Sequence, residues 1–310
     1  MQGKQNTVMI KRCIDVCMTI LLLCLMAYQV TGEKAHEWIG MGMTLLVIIH
    51  QILNRKWYAV LFKGKYNAYR IMTTIINVFL LISFALTAFC GMSMSGYAVP
   101  FLYGMTKVSF ARRMHLSMSH WAFVLMGLHL GLHVPAMTAK WKMADKVKWA
   151  VSGLFCILAG IGLLLFLKNG MPDYLFFRVP FAFLDYEKAG SLVILENILM
   201  LLFWAFIGTQ TAMLCQKLQR KDENKKNPLV PVILMMTAVI LGLVLNMVFP
   251  GNNEQGFGND GWNTTYEDAV EKADNTDNTI IDPNSQITEI ESNKEVLDIK
   301  DGFLLVDHFV

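Results

Sequence analysis

Seven long apolar stretches constrain the fold of this chain of 310 residues. A helix rises about 1.5 Å per residue and the hydrocarbon core of a bilayer is about 30 Å thick, so about 20 mostly apolar residues can cross it. Charged or turn-forming residues bound each stretch, which predicts an all-α, polytopic membrane protein with about seven transmembrane helices. The predicted spans are 13–31, 35–54, 71–92, 114–136, 149–167, 190–214 and 229–249.

The composition agrees with membrane insertion, since 55% of the residues are hydrophobic and only 16% are charged. Soluble domains carry about 25% charged residues, so a disordered chain, a disulfide scaffold and most soluble enzymes are excluded. We expect lipid around this chain and no nucleic acid. The net charge of +3 conceals an acidic C-terminal tail, because residues 250–310 hold 14 Asp or Glu against 3 Lys.

The basic residues between the predicted spans indicate an orientation. Of the 24 Lys and Arg in residues 1–249, 17 fall on the side of the N-terminus and 7 on the opposite side. Cytoplasmic loops carry the excess of Lys and Arg. We therefore expect a multi-pass protein of the cell membrane with a cytoplasmic N-terminus and an extracytoplasmic acidic tail.

Six of the seven histidines lie in the second and fourth predicted spans, and none lies in the other five. Ionisable side chains at membrane depth are costly and tend to mark a functional site. The six are His36, His50, His115, His120, His129 and His133.

The spacing of four of these histidines repeats. His36 and His50 are 14 residues apart, as are His115 and His129. Fourteen residues return a helix to within about 40° of its starting face and advance it by about 21 Å. Because one span separates them, both helices run in the same direction, so His36 can face His115 and His50 can face His129.

Opposed imidazoles at two levels are what bis-histidine ligation of two b-type haems requires. No Cys-x-x-Cys-His occurs, which excludes covalent c-type attachment. The predicted iron ligands are His36, His50, His115 and His129. Aligning 36–50 with 115–129 makes the first two spans resemble a duplicate of the next two. The result is a predicted four-helix haem-binding bundle.

Two further histidines are candidate cofactor-binding residues. His133 lies one turn beyond His129, where it either replaces His129 as ligand or hydrogen-bonds near a haem propionate. His120 lies about 140° from the face of His115, which argues against ligation. The alignment also places Asn54 opposite His133.

Three regions follow from these features: a duplicated-hairpin, di-haem core at 1–140, three further helices with an aromatic outer loop at 141–249, and the acidic tail at 250–310. The outer loop, 171–189, fits an interfacial aromatic belt, a lid over the outer haem or a docking surface for an electron partner. Glycines in the histidine spans either leave room for a macrocycle or allow close helix packing. They are Gly40, Gly42, Gly127 and Gly131.

Several segments resemble the flavinylation-associated cytochromes, bacterial membrane proteins related in style to cytochrome b561 and ferric-reductase transmembrane domains. The resemblance covers about 8–215, with the histidine segment its most specific part. The matching segments are Ile10–Asp15, His36–Trp38, Arg113–His115, Trp121–His133 and Val179–Glu187.

The resemblance implies a transmembrane electron conduit that receives electrons from a cytoplasmic dehydrogenase or a quinol. It passes them from the inner to the outer haem and on to an extracytoplasmic, flavin-carrying protein. It implies the same four ligands, with His133 also in the matching motif. The chain has no Ser/Thr-Gly-Ala-Thr flavinylation motif, so we expect the flavin on another protein.

Under this interpretation the chain is an electron carrier or an oxidoreductase subunit. If it is itself an enzyme, it is a terminal reductase that reduces an external acceptor. The alternative is a transporter or metal-handling protein that binds Zn²⁺ or copper through its histidines. Such sites need three or four converging ligands. The predicted histidines separate instead into two levels. A seven-helix scaffold with merely packed histidines leaves the repeated spacing unexplained.

Overall fold

The computed structural model describes residues 2–63, 67–139 and 144–221, and these residues form helices and turns with no strand. A short 3-10 turn, Pro100–Leu102, lies between the fourth and fifth helices. The helices are α1 Gln2–Met26, α2 Tyr28–Leu53, α3 Lys56–Val60, α4 Ala68–Met92, α5 Val108–Thr138, α6 Asp145–Lys168, α7 Met171–Leu175 and α8 Gly190–Lys221.

Five of the described helices are long and apolar enough to cross a membrane: α2, α4, α5, α6 and α8. They correspond to five of the predicted spans, which confirms an all-helical chain with several membrane-spanning candidates. The first predicted span, 13–31, is not among the five. The seventh span, 229–249, and the acidic tail lie outside the described residues, so the count of seven stays a prediction.

Helix α1 ends earlier than the predicted span, and the backbone breaks twice in this region. Ala27 separates α1 from α2. A second break follows at Gly32, whose φ of 68° and ψ of 170° interrupt α2 near its start. These angles are accessible to glycine without a steric cost. In addition, α1 carries Lys11, Arg12 and Asp15 within its apolar sequence, which makes it more polar than the five other long helices.

The long helices pack as two hairpins, and α8 packs along the second of them. Helix α1 packs along α2, and α4 packs along α5. Helix α8 lies against both α5 and α6. In contrast, α2 has little direct packing against α4 or α8 and none of note against α5. A gap therefore separates the two histidine-bearing helices, and their side chains bridge it.

Apolar side chains fill the middle of this gap. Met43 and Phe123 belong to one buried cluster with Met18 and Leu22 of α1, and both Met43 and Phe123 have 0% of their surface exposed. Met43 lies seven residues from both His36 and His50, and Phe123 lies between His115 and His129. The core thus forms an apolar layer between two levels of histidine.

The glycines of α5 pack against α8. A Cβ atom on Gly127 would lie 2.5 Å from the Cβ of Trp204, and one on Gly131 would lie 2.1 Å from the carbonyl oxygen of Ala205. The sequence left open whether the glycines make room for a macrocycle or allow close helix packing. Close packing holds for Gly127 and Gly131. A Cβ atom on Gly42 would meet nothing within 4 Å, and one on Gly40 only a Leu25 methyl group at 3.9 Å, so the two glycines of α2 are not tightly packed.

Large apolar side chains cover the outside of the helices. In α6, Trp149 is 81% exposed and Leu164 is 68% exposed. Exposed apolar surface of this extent on a helix requires an apolar environment. Lipid contact along these helices accounts for it.

Candidate functional site

The first histidine level joins α2 to α5 near the start of both helices. The rings of His36 and His115 have centroids 6.1 Å apart and planes inclined by 72°. The Nδ1 atom of His36 is buried and forms no hydrogen bond with a described residue. The backbone of Leu25 lies close to the ring without reaching hydrogen-bonding geometry at Nδ1. The predicted pairing of His36 with His115 is thus present as a close contact of the rings.

His115 is held by α4. Its Nδ1 lies 2.9 Å from the carbonyl oxygen of Thr87, and a carbonyl only accepts, so Nδ1 carries the proton and donates. A Cβ atom on Gly91 would lie 3.0 Å from the His115 ring. Gly91 therefore makes room for the imidazole, and Thr87 fixes its orientation.

The second level lies near the C-terminal ends of α2 and α5. His50 donates from Nδ1 to the carboxylate of Asp15 on α1 at 2.9 Å. The amide of Asn54 lies 3.2 Å from Nε2 of His50, and the Asn54 oxygen accepts from Lys11 at 2.9 Å. Helix α1 thus supplies the groups that hold His50.

His129 and His133 complete this level from α5. The Nδ1 atom of His129 donates to the Asn77 side-chain oxygen of α4 at 2.8 Å. The rings of His129 and His133 have centroids 4.8 Å apart, and His133 is exposed. Both histidines lie within electrostatic range of His50 and Asp15. His50 and His129 thus lie in the same region without a ring contact between them in the described part of the chain, and His133 lies beside His129.

The Nδ1 hydrogen bonds have a common chemical consequence. In His50, His115 and His129 the proton of the neutral ring is held on Nδ1, so the lone pair is on Nε2. Histidines that bind metals show the same arrangement, in which an acceptor fixes the tautomer and raises the basicity of the ligating nitrogen. Three of the four predicted ligands are thus in the tautomer that ligation through Nε2 requires, and Nε2 of His50 accepts a hydrogen bond from the Asn54 amide at 3.2 Å.

His120 belongs to a separate cluster under α7. Its Nδ1 donates to the Leu116 carbonyl at 2.7 Å, and its ring stacks on Tyr174 with centroids 4.5 Å apart and planes 7° apart. Burial raises the pKa of the Tyr174 hydroxyl, which accepts from the Phe183 amide at 3.0 Å. His120 therefore connects α5 to the aromatic loop and makes no ring contact with His36.

A carboxylate holds the loop between α4 and α5 over the first level. Glu37, next to His36 in sequence, accepts from the Ser95 hydroxyl at 2.7 Å. It also accepts from three successive backbone amides, those of Gly96, Tyr97 and Ala98, at 2.8–3.0 Å. Four donors on one carboxylate fix this loop to α2.

Sequence reasoning missed the hydrogen-bond partners of the ligands. The sequence predicted no such role for Asp15, Asn77 or Glu37. An acidic or amide side chain inside an apolar stretch is a usable signal, because such a group needs a buried partner. The backbone carbonyl of Thr87 has no side-chain signal at all.

These features define an all-helical, multi-pass membrane protein with two histidine levels. In the part of the chain that the structure describes, no group of three or more His, Cys, Asp or Glu side chains is arranged to hold a metal ion. Comparison with protein-family models, with curated proteins and with solved structures gives no match to this chain.

Proposed function

We propose that this protein is a di-haem, b-type cytochrome that transfers electrons across the cell membrane. The observation that carries the proposal is the contact of His36 with His115 across two helices that otherwise pack little against each other. A second histidine level lies beyond the Met43 and Phe123 layer. His36, His50, His115 and His129 are the proposed iron ligands.

The first level fits a bis-imidazole site. With metal–nitrogen bonds of about 2.0–2.1 Å, two imidazoles on opposite sides of one metal ion have ring centres about 6 Å apart. The 6.1 Å separation of His36 and His115 agrees with that value. The buried Nδ1 of His36, which has no hydrogen-bond partner among the described residues, also favours an occupant at this level.

When bound, haem supplies one-electron redox chemistry at each level. The chain's own residues orient the imidazoles, and the apolar layer excludes water between the two levels. With the N-terminus in the cytoplasm, the second level faces a quinol or a cytoplasmic dehydrogenase as donor. The first level faces an extracytoplasmic acceptor, for which the resemblance favours a flavin-carrying protein. The chain then acts as a carrier or oxidoreductase subunit, or as a terminal reductase.

The alternative, a transporter or metal-handling protein, requires three or four ligands at one point. The first level holds the pair His36 and His115, and no group of three or more His, Cys, Asp or Glu side chains in the described residues is arranged to hold a metal ion. This arrangement favours two-ligand sites. We therefore place the metal-handling function second.

Absorption spectroscopy tests the proposed function. The protein purified in detergent from haem-sufficient cells is expected to show a Soret band and, when reduced, an α-band, with two haems per chain. Single His→Ala changes at positions 36, 50, 115 and 129 are each expected to remove about one haem. A colourless wild-type protein, or full haem content in all four variants, would contradict the proposal.

A further inference from the structure

The hydrogen bonds to the histidines differ between the two levels, and the difference is confined to α2. On α5, His115 donates to the carbonyl oxygen of Thr87 at 2.9 Å and His129 to the amide oxygen of Asn77 at 2.8 Å. Both acceptors are neutral amide oxygens at matched distances. The two α5 histidines are therefore equivalent in this respect.

The two α2 histidines are not equivalent. His50 donates to the carboxylate of Asp15 at 2.9 Å, whereas Nδ1 of His36 has no hydrogen-bond partner among the described residues. Hydrogen bonds to an ionised acceptor are roughly twice as strong as those between neutral groups. A carboxylate on the outer nitrogen of a ligating imidazole raises the basicity of the ligand.

We infer that Asp15 makes the His50/His129 haem site the one of lower midpoint potential and the His36/His115 site the one of higher potential. A more basic imidazole stabilises oxidised iron more than reduced iron, which lowers the potential. This inference rests on the proposed function and adds a positioning residue, Asp15, that acts through His50. Electron transfer from the second level to the first is then downhill.

Charged neighbours at the first level do not supply an equal bond. Glu37 lies next to His36, but its two oxygens accept from Ser95 and from the backbone of Gly96, Tyr97 and Ala98. Glu37 therefore lies within electrostatic range of His36 but forms no hydrogen bond with its ring. At the second level, Lys11 donates to Asn54, and Asp15 keeps its bond to His50 although 47% of its side chain is exposed.

Redox titration of the two-haem protein, followed by visible absorbance at one pH, tests the inference. His50→Ala is expected to leave the haem of higher potential and His36→Ala the haem of lower potential, which assigns the two values. Asp15→Asn is expected to raise the lower midpoint potential by about 59 mV and to leave the higher one unchanged. That shift is a tenfold change in the one-electron equilibrium.

Asp145→Asn is the matched control, because within the described part of the chain this exposed carboxylate on α6 bonds only to Lys148. It is expected to move neither midpoint potential. Asp15→Glu, which keeps the carboxylate, is expected to retain most of the wild-type difference between the two midpoint potentials. This variant serves as the test if Asp15→Asn does not fold. A wild-type protein with two haems whose His50/His129 site has the higher potential would overturn the inference. An unchanged pair of midpoint potentials in Asp15→Asn would also overturn it. Loss of the difference between the two potentials in Asp145→Asn would do the same. In each of those cases the proposed function stands, whereas absence of haem from the wild type overturns both.

Discussion

At the scale of single residues, hydrogen-bond partners distinguish the histidines more clearly than their positions do. His50, His115 and His129 each present Nε2 because an acceptor holds the proton on Nδ1. His120 also donates from Nδ1, but its ring is stacked on Tyr174. His36, in comparison, meets Tyr28 edge-on with ring centroids 5.1 Å apart, so the parallel stacking distinguishes His120 from the proposed ligand.

His120→Phe is therefore expected to leave the haem content at the wild-type value. The phenyl ring keeps the stacking surface for Tyr174, and the Leu116 carbonyl keeps its helical hydrogen bond. Haem is counted from the reduced α-band per mole of protein.

His129→Phe is the matched control, since it removes a proposed ligand from the same helix with the same new side chain. It is expected to lose about one haem per chain. Loss of a haem from His120→Phe would show that His120 takes part in haem binding.

At the scale of elements, one carboxylate on α2 fixes the loop between α4 and α5. Glu37→Gln is expected to release this loop, because the hydrogen bonds from its donors to a charged acceptor contribute about 1.5–3 kcal/mol each. Hydrogen exchange at Gly96, Tyr97 and Ala98 is expected to be at least about tenfold faster than in the wild type, by the same bond energies.

Glu33→Gln provides the control for this loop experiment. Glu33 is exposed on the same helix and is expected to leave exchange at the three amides unchanged. Equal protection of those amides in Glu37→Gln and the wild type would show that the loop is held by other contacts.

Helix packing in the second half of the described chain depends on glycine at the contact. A Cβ atom on Gly162 of α6 would lie 2.1 Å from the carbonyl oxygen of Leu199 on α8, whereas one on Gly160 meets nothing within 4 Å. Gly162→Ala is expected to lower stability by about 1–3 kcal/mol, the usual cost of overpacking.

Thermal unfolding in detergent, followed by circular dichroism, measures this effect. Gly160→Ala is the matched control and is expected to unfold at or slightly above the wild-type temperature, because alanine is the better helix former. Equal unfolding temperatures for the two variants would show that α6 and α8 can separate without cost.

At the scale of the whole molecule, the sequence predicts the helices well and the break between the first two less well. Apolar length identifies α2, α4, α5, α6 and α8 because a bilayer imposes a minimum span. The end of α1 at Met26 is harder to predict. The apolar sequence continues through Ala27, and the second break depends on the backbone angles of Gly32.

The candidate site is predictable to a similar degree. A 14-residue repeat on one helix face predicts which histidines share a level, and the contact of His36 with His115 agrees with it. Which nitrogen each ring presents depends on Asp15, Asn77 and the Thr87 carbonyl, which lie on other helices. Periodicity within one helix carries no information about such contacts.

The layer of Met43 and Phe123 has a consequence for energy conversion. If the chain transfers electrons as proposed, an electron that passes this layer of two fully buried side chains moves its charge through an apolar region, and the crossing is electrogenic. At about 2.3 kcal/mol per elementary charge per 100 mV, the membrane voltage would then act on the proposed transfer as a driving or opposing force.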